Sequence, residues 1–293
     1  MAIILTVLQI VAPVGLLAVA GFVWARSGTD YPLEFVTRLA MTLALPALIF
    51  TSLMKTTIAP EALAALTVAT IAAYGLLSFI FILLTHFTGL DRRTYAAPLI
   101  FGNTGNIGLP LAFFAFGEAG LGYGVVIFAV MMVWSFTFGL WLVAGGGSPG
   151  RALREPAMWA TLLGALFLWQ GWQTPDWLTR SLDLLGQLAI PLMLITLGVA
   201  MSRLTAARIG QAVVLSLLRL AICACVAVAI GWGFALPPTA FAVLVLQLTT
   251  PVAVTAYMLA GKYGADAEAV AGLVLASTLI GVGMLPLALA FLI

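Results

Sequence analysis

Two short runs concentrate the polar and helix-breaking residues of an otherwise apolar chain. The first is Phe101-Gly102-Asn103-Thr104-Gly105-Asn106-Ile107-Gly108-Leu109-Pro110, which holds three glycines, two asparagines and a proline. The second is Gln247-Leu248-Thr249-Thr250-Pro251. Proline removes a backbone donor and glycine loosens the helical ladder, so each run should break its helix and free backbone groups. Half-helices beginning near Pro110 and Pro251 would aim unpaired N–H groups and positive dipole ends at one point, which suits an anionic group. Asn103, Thr104, Asn106, Gln247, Thr249 and Thr250 could hydrogen-bond such a group without adding a charge of their own. Gly102, Gly105 and Gly108, with Pro46 and Pro191 elsewhere, are the expected breaks or hinges. The competing reading is that these small and amide side chains glue helices together. A kink alone, however, would not need both asparagines and a second, matching break.

Among charged residues, Arg219 stands out because it falls about ten residues into an apolar run, about 15 Å along a helix. A charge at that depth is a functional candidate, and the alternative is an Arg stem that reaches back to the membrane interface. His86 and Asp91-Arg92-Arg93 sit at a helix end, where solvation is explanation enough. Glu34 and Asp183 lie near helix ends, and no carboxylate is placed deeper, which argues against a proton relay of paired acids. One histidine cannot make a two-histidine metal site. Neither a Gly-x-Ser-x-Gly nor a Walker motif appears, so the chain does not read as an enzyme and calls for no metal or cofactor. A net charge of +2 without a basic run excludes nucleic acid as a partner.

The elements that must position these residues follow from composition. The chain is 63% hydrophobic and 8% charged, which no water-soluble core could absorb. Ten stretches can cross a bilayer as helices, near 3–25, 33–54, 62–87, 95–116, 120–144, 157–173, 178–201, 209–235, 239–259 and 266–292. Runs such as Leu76 to Leu84 are apolar on every side, unlike barrel strands. The first stretch has no preceding Lys or Arg and is read as a retained helix rather than a signal peptide. Cys223 and Cys225 are two apart in one helix and cannot pair. Arg26, Arg92, Arg93, Arg151, Arg154, Arg203, Arg208 and Lys262 fall on one side of the alternating spans, against Lys55 and Arg180 on the other. The positive-inside rule then places both termini outside the cell (inner) membrane.

Prolines reveal an internal repeat. Pro13, Pro32, Pro46 and Pro110 recur as Pro156, Pro175, Pro191 and Pro251, at offsets of 143, 143, 145 and 141. Residues 1–144 and 156–293 therefore read as two five-helix repeats joined by a linker at 145–155. An odd number of helices per repeat inverts the second copy, the plan of many secondary transporters, with the fourth and ninth spans as the broken pair. A passive pore is the other class that broken helices can build.

The run Asn103-Thr104 to Gly108-Leu109-Pro110, the Leu45-Pro46 pair, and Pro251 through Tyr257, Ala260, Lys262-Tyr263-Gly264, Asp266 and Ser277-Thr278-Leu279 resemble the auxin efflux carrier family over essentially the whole chain. That family belongs to the bile/arsenite/riboflavin transporter-like superfamily. The resemblance implies an all-α fold similar to sodium/proton antiporters, with ten helices in two inverted repeats and crossed helices four and nine. It implies a scaffold and dimer surface from helices 1, 2, 6 and 7, a moving bundle from helices 3–5 and 8–10, and a homodimer in the bilayer. Asn103 matches the asparagine that contacts a carboxylate in plant members. Plant members carry proline where this chain has Gly102, glutamine where Val130 aligns, and a long central loop. Bacterial members are generally assigned to small carboxylates such as malate or malonate, so the implied substrate is a small organic anion. Export or uniport is the expected mode, with sodium- or proton-coupled symport as the alternative.

Overall fold

The computed structural model describes residues 2–144, 155–204 and 208–292, with side chains from 9 to 284 within them. The expected linker at 145–155 lies outside the described residues except for Glu155. Every regular element among the described residues is helical. In order these are α1 (Ala2–Arg26), α2 (Leu33–Leu39), a π turn (Ala40–Ala44), α3 (Leu45–Lys55), α4 (Pro60–Phe87) and α5 (Arg92–Ile100). After a break come a π turn (Thr104–Gly108), α6 (Leu109–Trp134), a π turn (Ser135–Gly139) and α7 (Leu140–Ala144). The second half holds α8 (Pro156–Gln170), α9 (Asp176–Gln187), α10 (Ala189–Arg203), α11 (Ile209–Gly233), α12 (Pro238–Leu248), α13 (Val254–Tyr263) and α14 (Ala267–Leu292).

Seven helical stretches of the described residues are long and apolar enough to cross a membrane. The sequence suggests ten, and the difference has physical causes. α5, α12 and α13 are halves of interrupted segments, at 9, 11 and 10 residues, and α8 has only 15. In contrast, Thr104–Ala144 runs for 41 residues, about 60 Å if it were straight. It is not straight, because Gly117 adopts φ 62° and ψ −150° inside α6. Only glycine visits that region at low cost, and the kink falls where the sequence separates its expected fourth and fifth spans.

Two of the π turns explain themselves through proline. One ends just before Leu45-Pro46 and the other just before Leu109-Pro110. A proline ring clashes with the carbonyl four residues earlier and offers no N–H, and a wider turn accommodates both deficits.

Two sets of helices pack closely within themselves, and α6 also touches α1, α3 and α8. α1 runs along α10, and α3 lies against α8 and α9. The α1–α10 approach is so close that a methyl group on Gly21 or Gly198 would collide with the partner's backbone. The second group joins α4, α5, α6, α11, α12 and α14. One end of that group is tied by polar contacts: Arg93 donates to the Val143 carbonyl at 3.1 Å and the Tyr263 carbonyl at 2.8 Å, the last turns of α7 and α13. Asp91 caps α5, and the Thr94 hydroxyl accepts from Asp266 N at 3.2 Å.

Candidate functional site

The two interruptions meet. Gly102 and Val252 form an isolated antiparallel bridge, and Asn103 N donates to the Pro251 carbonyl at 2.7 Å. Backbone polarity freed by breaking a helix must find partners where water is excluded, and here the breaks supply them to each other. Val252 N donates to Ser277 Oγ at 3.0 Å, which draws α14 into the same junction.

Arg219 completes it. The residue is 2% exposed, and its guanidinium donates from Nε to the Leu99 carbonyl at 3.0 Å and from Nη1 to the Thr250 carbonyl at 2.6 Å. The Leu99 carbonyl is in the last turn of α5, where a helix leaves acceptors unpaired, and the Thr250 carbonyl lies in the break two residues past the end of α12. The side chain therefore crosses between the breaks rather than reaching for the membrane surface. Among the described residues the ion pairs are Lys55–Asp183 and Arg208–Asp266, so no carboxylate neutralises Arg219.

Asn103, 5% exposed, is the N-cap of the Thr104–Gly108 turn, and its Oδ1 accepts from Asn106 N at 3.2 Å. The restarted helix thus begins at Thr104, not near Pro110, which lies one residue inside α6 with the helix already under way. Asparagine at the cap satisfies the first turn, so the break needs no proline at its own position. Pro251 does sit in its break, and α13 resumes at Val254. The two prolines that pair by sequence offset therefore hold different structural positions.

Among the described residues, five of the eight buried side-chain polar atoms without a protein partner belong to the junction: Asn103 Nδ2, Thr104 Oγ1, Arg219 Nη2, and both amide atoms of Gln247. A sixth, the Tyr74 hydroxyl, is on a ring that stacks against Phe101 at 6.0 Å. Buried polar groups are paired in nearly all folded proteins, so this concentration sets the junction apart from the rest of the described core. Gln247 lies against Gly108 and Gly124, one turn along from Asn103. A methyl group on Gly108 would overlap its amide, and one on Gly102 would lie 2.9 Å from Arg219 Nη2. Close approach, more than loose backbone, is what these glycines provide.

Other candidates play different parts. Thr249 Oγ1 donates to Val245 O at 2.7 Å, and Thr250 Oγ1 donates to Gln247 O at 2.7 Å, so both protons are spent on their own helix. Gly105 faces Phe128 and Met193. Asn106 lines a small cavity of about 30 Å³ with Thr37, Met193, Thr196, Val254 and Thr255. Pro46 sits in the first turn of α3. Pro191 lines a cavity of about 700 Å³ with Ser52, Lys55, Glu118, Asp183 and Gln187. The large cavity adjoins the Lys55 end of the Leu33–Lys55 segment and the small one its Leu33 end, so they lie toward opposite faces. Sequence reasoning missed Tyr74, Gly124 and, Pro191 apart, the grouping of residues that line the large cavity. Nothing local distinguishes Tyr74 or Gly124, because their significance lies in neighbours far away in the chain.

A chain of long apolar helices, two of them interrupted around a buried polar junction, is a polytopic helical membrane protein built for transport. A family model described as membrane transport protein matches residues 6–150 and 148–289. The chain belongs to this family, the auxin efflux carriers. It is also 29% identical over 265 residues to an uncharacterized transporter of Methanothermobacter thermautotrophicus, with 86% of each chain covered.

Proposed function

We propose that this membrane transporter moves a small organic anion, a mono- or dicarboxylate, by alternating access around the crossing of two broken helices. In this reading ten spans form two inverted repeats, residues 1–144 and 156–293, in the inner membrane with both termini outside. α1–α3 and α8–α10 form a scaffold and homodimer surface, and the remaining helices form the bundle that moves against it. The observation that carries the reading is the set of unpartnered donors at Asn103, Gln247 and Arg219 around a cation that no carboxylate neutralises. The N-terminal turns beginning at Thr104 and Val254 add backbone N–H groups with no intrahelical acceptor. Unequal cavities toward the two faces suit a carrier open on the Lys55 side and closed on the other.

Among the donors, Asn103 Nδ2 is the principal contact and Gln247 Nε2 the second, while Thr249 and Thr250 shape the site through backbone and acceptor oxygens. Thr104, Asn106 and Pro251 complete the lining. The test is a thermal-shift screen of malonate, malate, succinate and monocarboxylates on the purified protein, because ligands that bind the folded state raise its Tm. Uptake of a hit into proteoliposomes should then follow an imposed potassium/valinomycin potential, at about 2.3 kcal/mol per charge per 100 mV. No shift with any carboxylate, or uptake that ignores potential and needs a sodium or proton gradient, would replace this reading with a different substrate class or with symport.

A further inference from the structure

We infer that the junction contains a carbonyl-lined site for a monovalent cation, and that the guanidinium of Arg219 is the cation that fills it. The argument begins with what α5 and α12 leave behind when they stop. The last carbonyls of a helix lack N–H partners and carry the negative end of its dipole. One such carbonyl, Leu99 O of α5, meets Thr250 O, which the break after α12 leaves without a helical partner, and both are brought to one side chain although they lie 120 and 31 residues from it in sequence. Neither carbonyl can be hydrated cheaply in a junction this buried, so a hydrogen-bond donor must lie between them.

A neutral donor could make the same two hydrogen bonds, but it would not offset the negative end of the α5 dipole and the partial charge of the second carbonyl. Arg219 does so with a permanent charge, and among the described residues no acid competes for it. The fit is specific to a planar fork. Nε and Nη1 are used, and Nη2 remains unpartnered beside Gly102, where a methyl group would lie 2.9 Å away. Gly102 thus leaves room for the third nitrogen and for the Thr250 hydroxyl, which the same methyl would meet first.

The consequence is that no free sodium or potassium ion is needed at these carbonyls, so a coupling cation has no vacancy there. This consequence for transport rests on the crossing being the transport site. The measurement below does not, since it uses no substrate, so a failed carboxylate screen and a failed cation response are separate results.

The experiment is the Tm of the purified full chain in choline, sodium, potassium or guanidinium chloride at constant ionic strength. The parent should show no difference among the cations at about 20 mM, a concentration far below the denaturing range. Arg219→Ala should lose on the order of 5–10 °C, and guanidinium, but not choline, should restore at least half of that loss. Arg219→Lys should lie above Arg219→Gln, because the charge rather than hydrogen bonding decides. An Arg219→Ala protein as stable as the parent, or one that recovers equally in choline, overturns the inference. If Arg219→Ala yields no folded protein, the other two variants decide: Lys above Gln supports the cation site, and Gln equal to or above Lys refutes it.

Discussion

Asn103 joins two functions in one side chain, and isosteric replacement can separate them. Its Oδ1 caps the restarted helix through Asn106 N at 3.2 Å, while its Nδ2 is buried without a partner. Asn103→Ala removes both, so it should cost about 1 kcal/mol of stability from the lost cap. It should also cost about 1.5–3 kcal/mol of binding from one hydrogen bond to a charged ligand, roughly tenfold to 150-fold in Kd. Asn103→Asp keeps the shape and the capping oxygen, and a carboxylate at a helix N-terminus near Arg219 is well placed, so its Tm should equal or exceed that of Asn103→Ala. The same variant removes the donor and sets a negative charge against the ligand. At about 4 Å and an effective dielectric of about 20, repulsion adds about 4 kcal/mol, which together with the lost bond makes carboxylate binding undetectable. The assay is Tm and carboxylate-induced ΔTm on the same samples, followed by isothermal titration for any hit. Carboxylate binding by Asn103→Asp with an affinity near the parent's would refute the assignment of Nδ2 as the ligand's donor.

Four further outcomes are expected. Gly108→Ala must push the Gln247 amide aside, since the added methyl overlaps it, and should cost about 1–3 kcal/mol in thermal unfolding. Pro110→Ala lies in a helix already under way, so its Tm and carboxylate binding should stay within about 1 kcal/mol of the parent, and a collapse of binding would move the break back to the proline. Cysteines introduced at Gly147 and Ala207, both outside the described residues, should be shielded from impermeant external thiol reagents in intact cells, whereas one at Gly117 should label. The Lys/Arg bias sets that orientation, and external labelling at Gly147 would reverse it. Burial raises the Glu155 carboxyl above its ordinary value, so the folded state favours its neutral form and loses stability as pH rises through the folded pKa. Glu155→Gln should therefore raise Tm modestly at neutral pH, with the gain fading below about pH 4, and an equal gain at both would exclude titration as the cause.

The sequence by itself determined the solvent and the secondary structure. Apolar runs as long as Leu76–Leu84 and its flanks have no stable state in lipid other than a helix, because every backbone group must be paired within the segment. The same rule made the two interruptions legible, since Gly102-Asn103 and Thr249-Thr250-Pro251 cannot continue a lipid-facing helix. The point of restart was less legible. Proline drew attention to position 110, while the helix resumed at Thr104, because Asn103 could cap it and a π turn could absorb the proline. Pattern also identified Arg219 as unusual but left open whether it reached outward or inward. Only the tertiary structure decided that, by placing the carbonyls of Leu99 and Thr250 within 3.0 Å of its nitrogens. Local sequence cannot encode such partners: a residue's propensity acts over one or two turns, whereas these contacts span up to 120 positions and exist only once both breaks have been packed together.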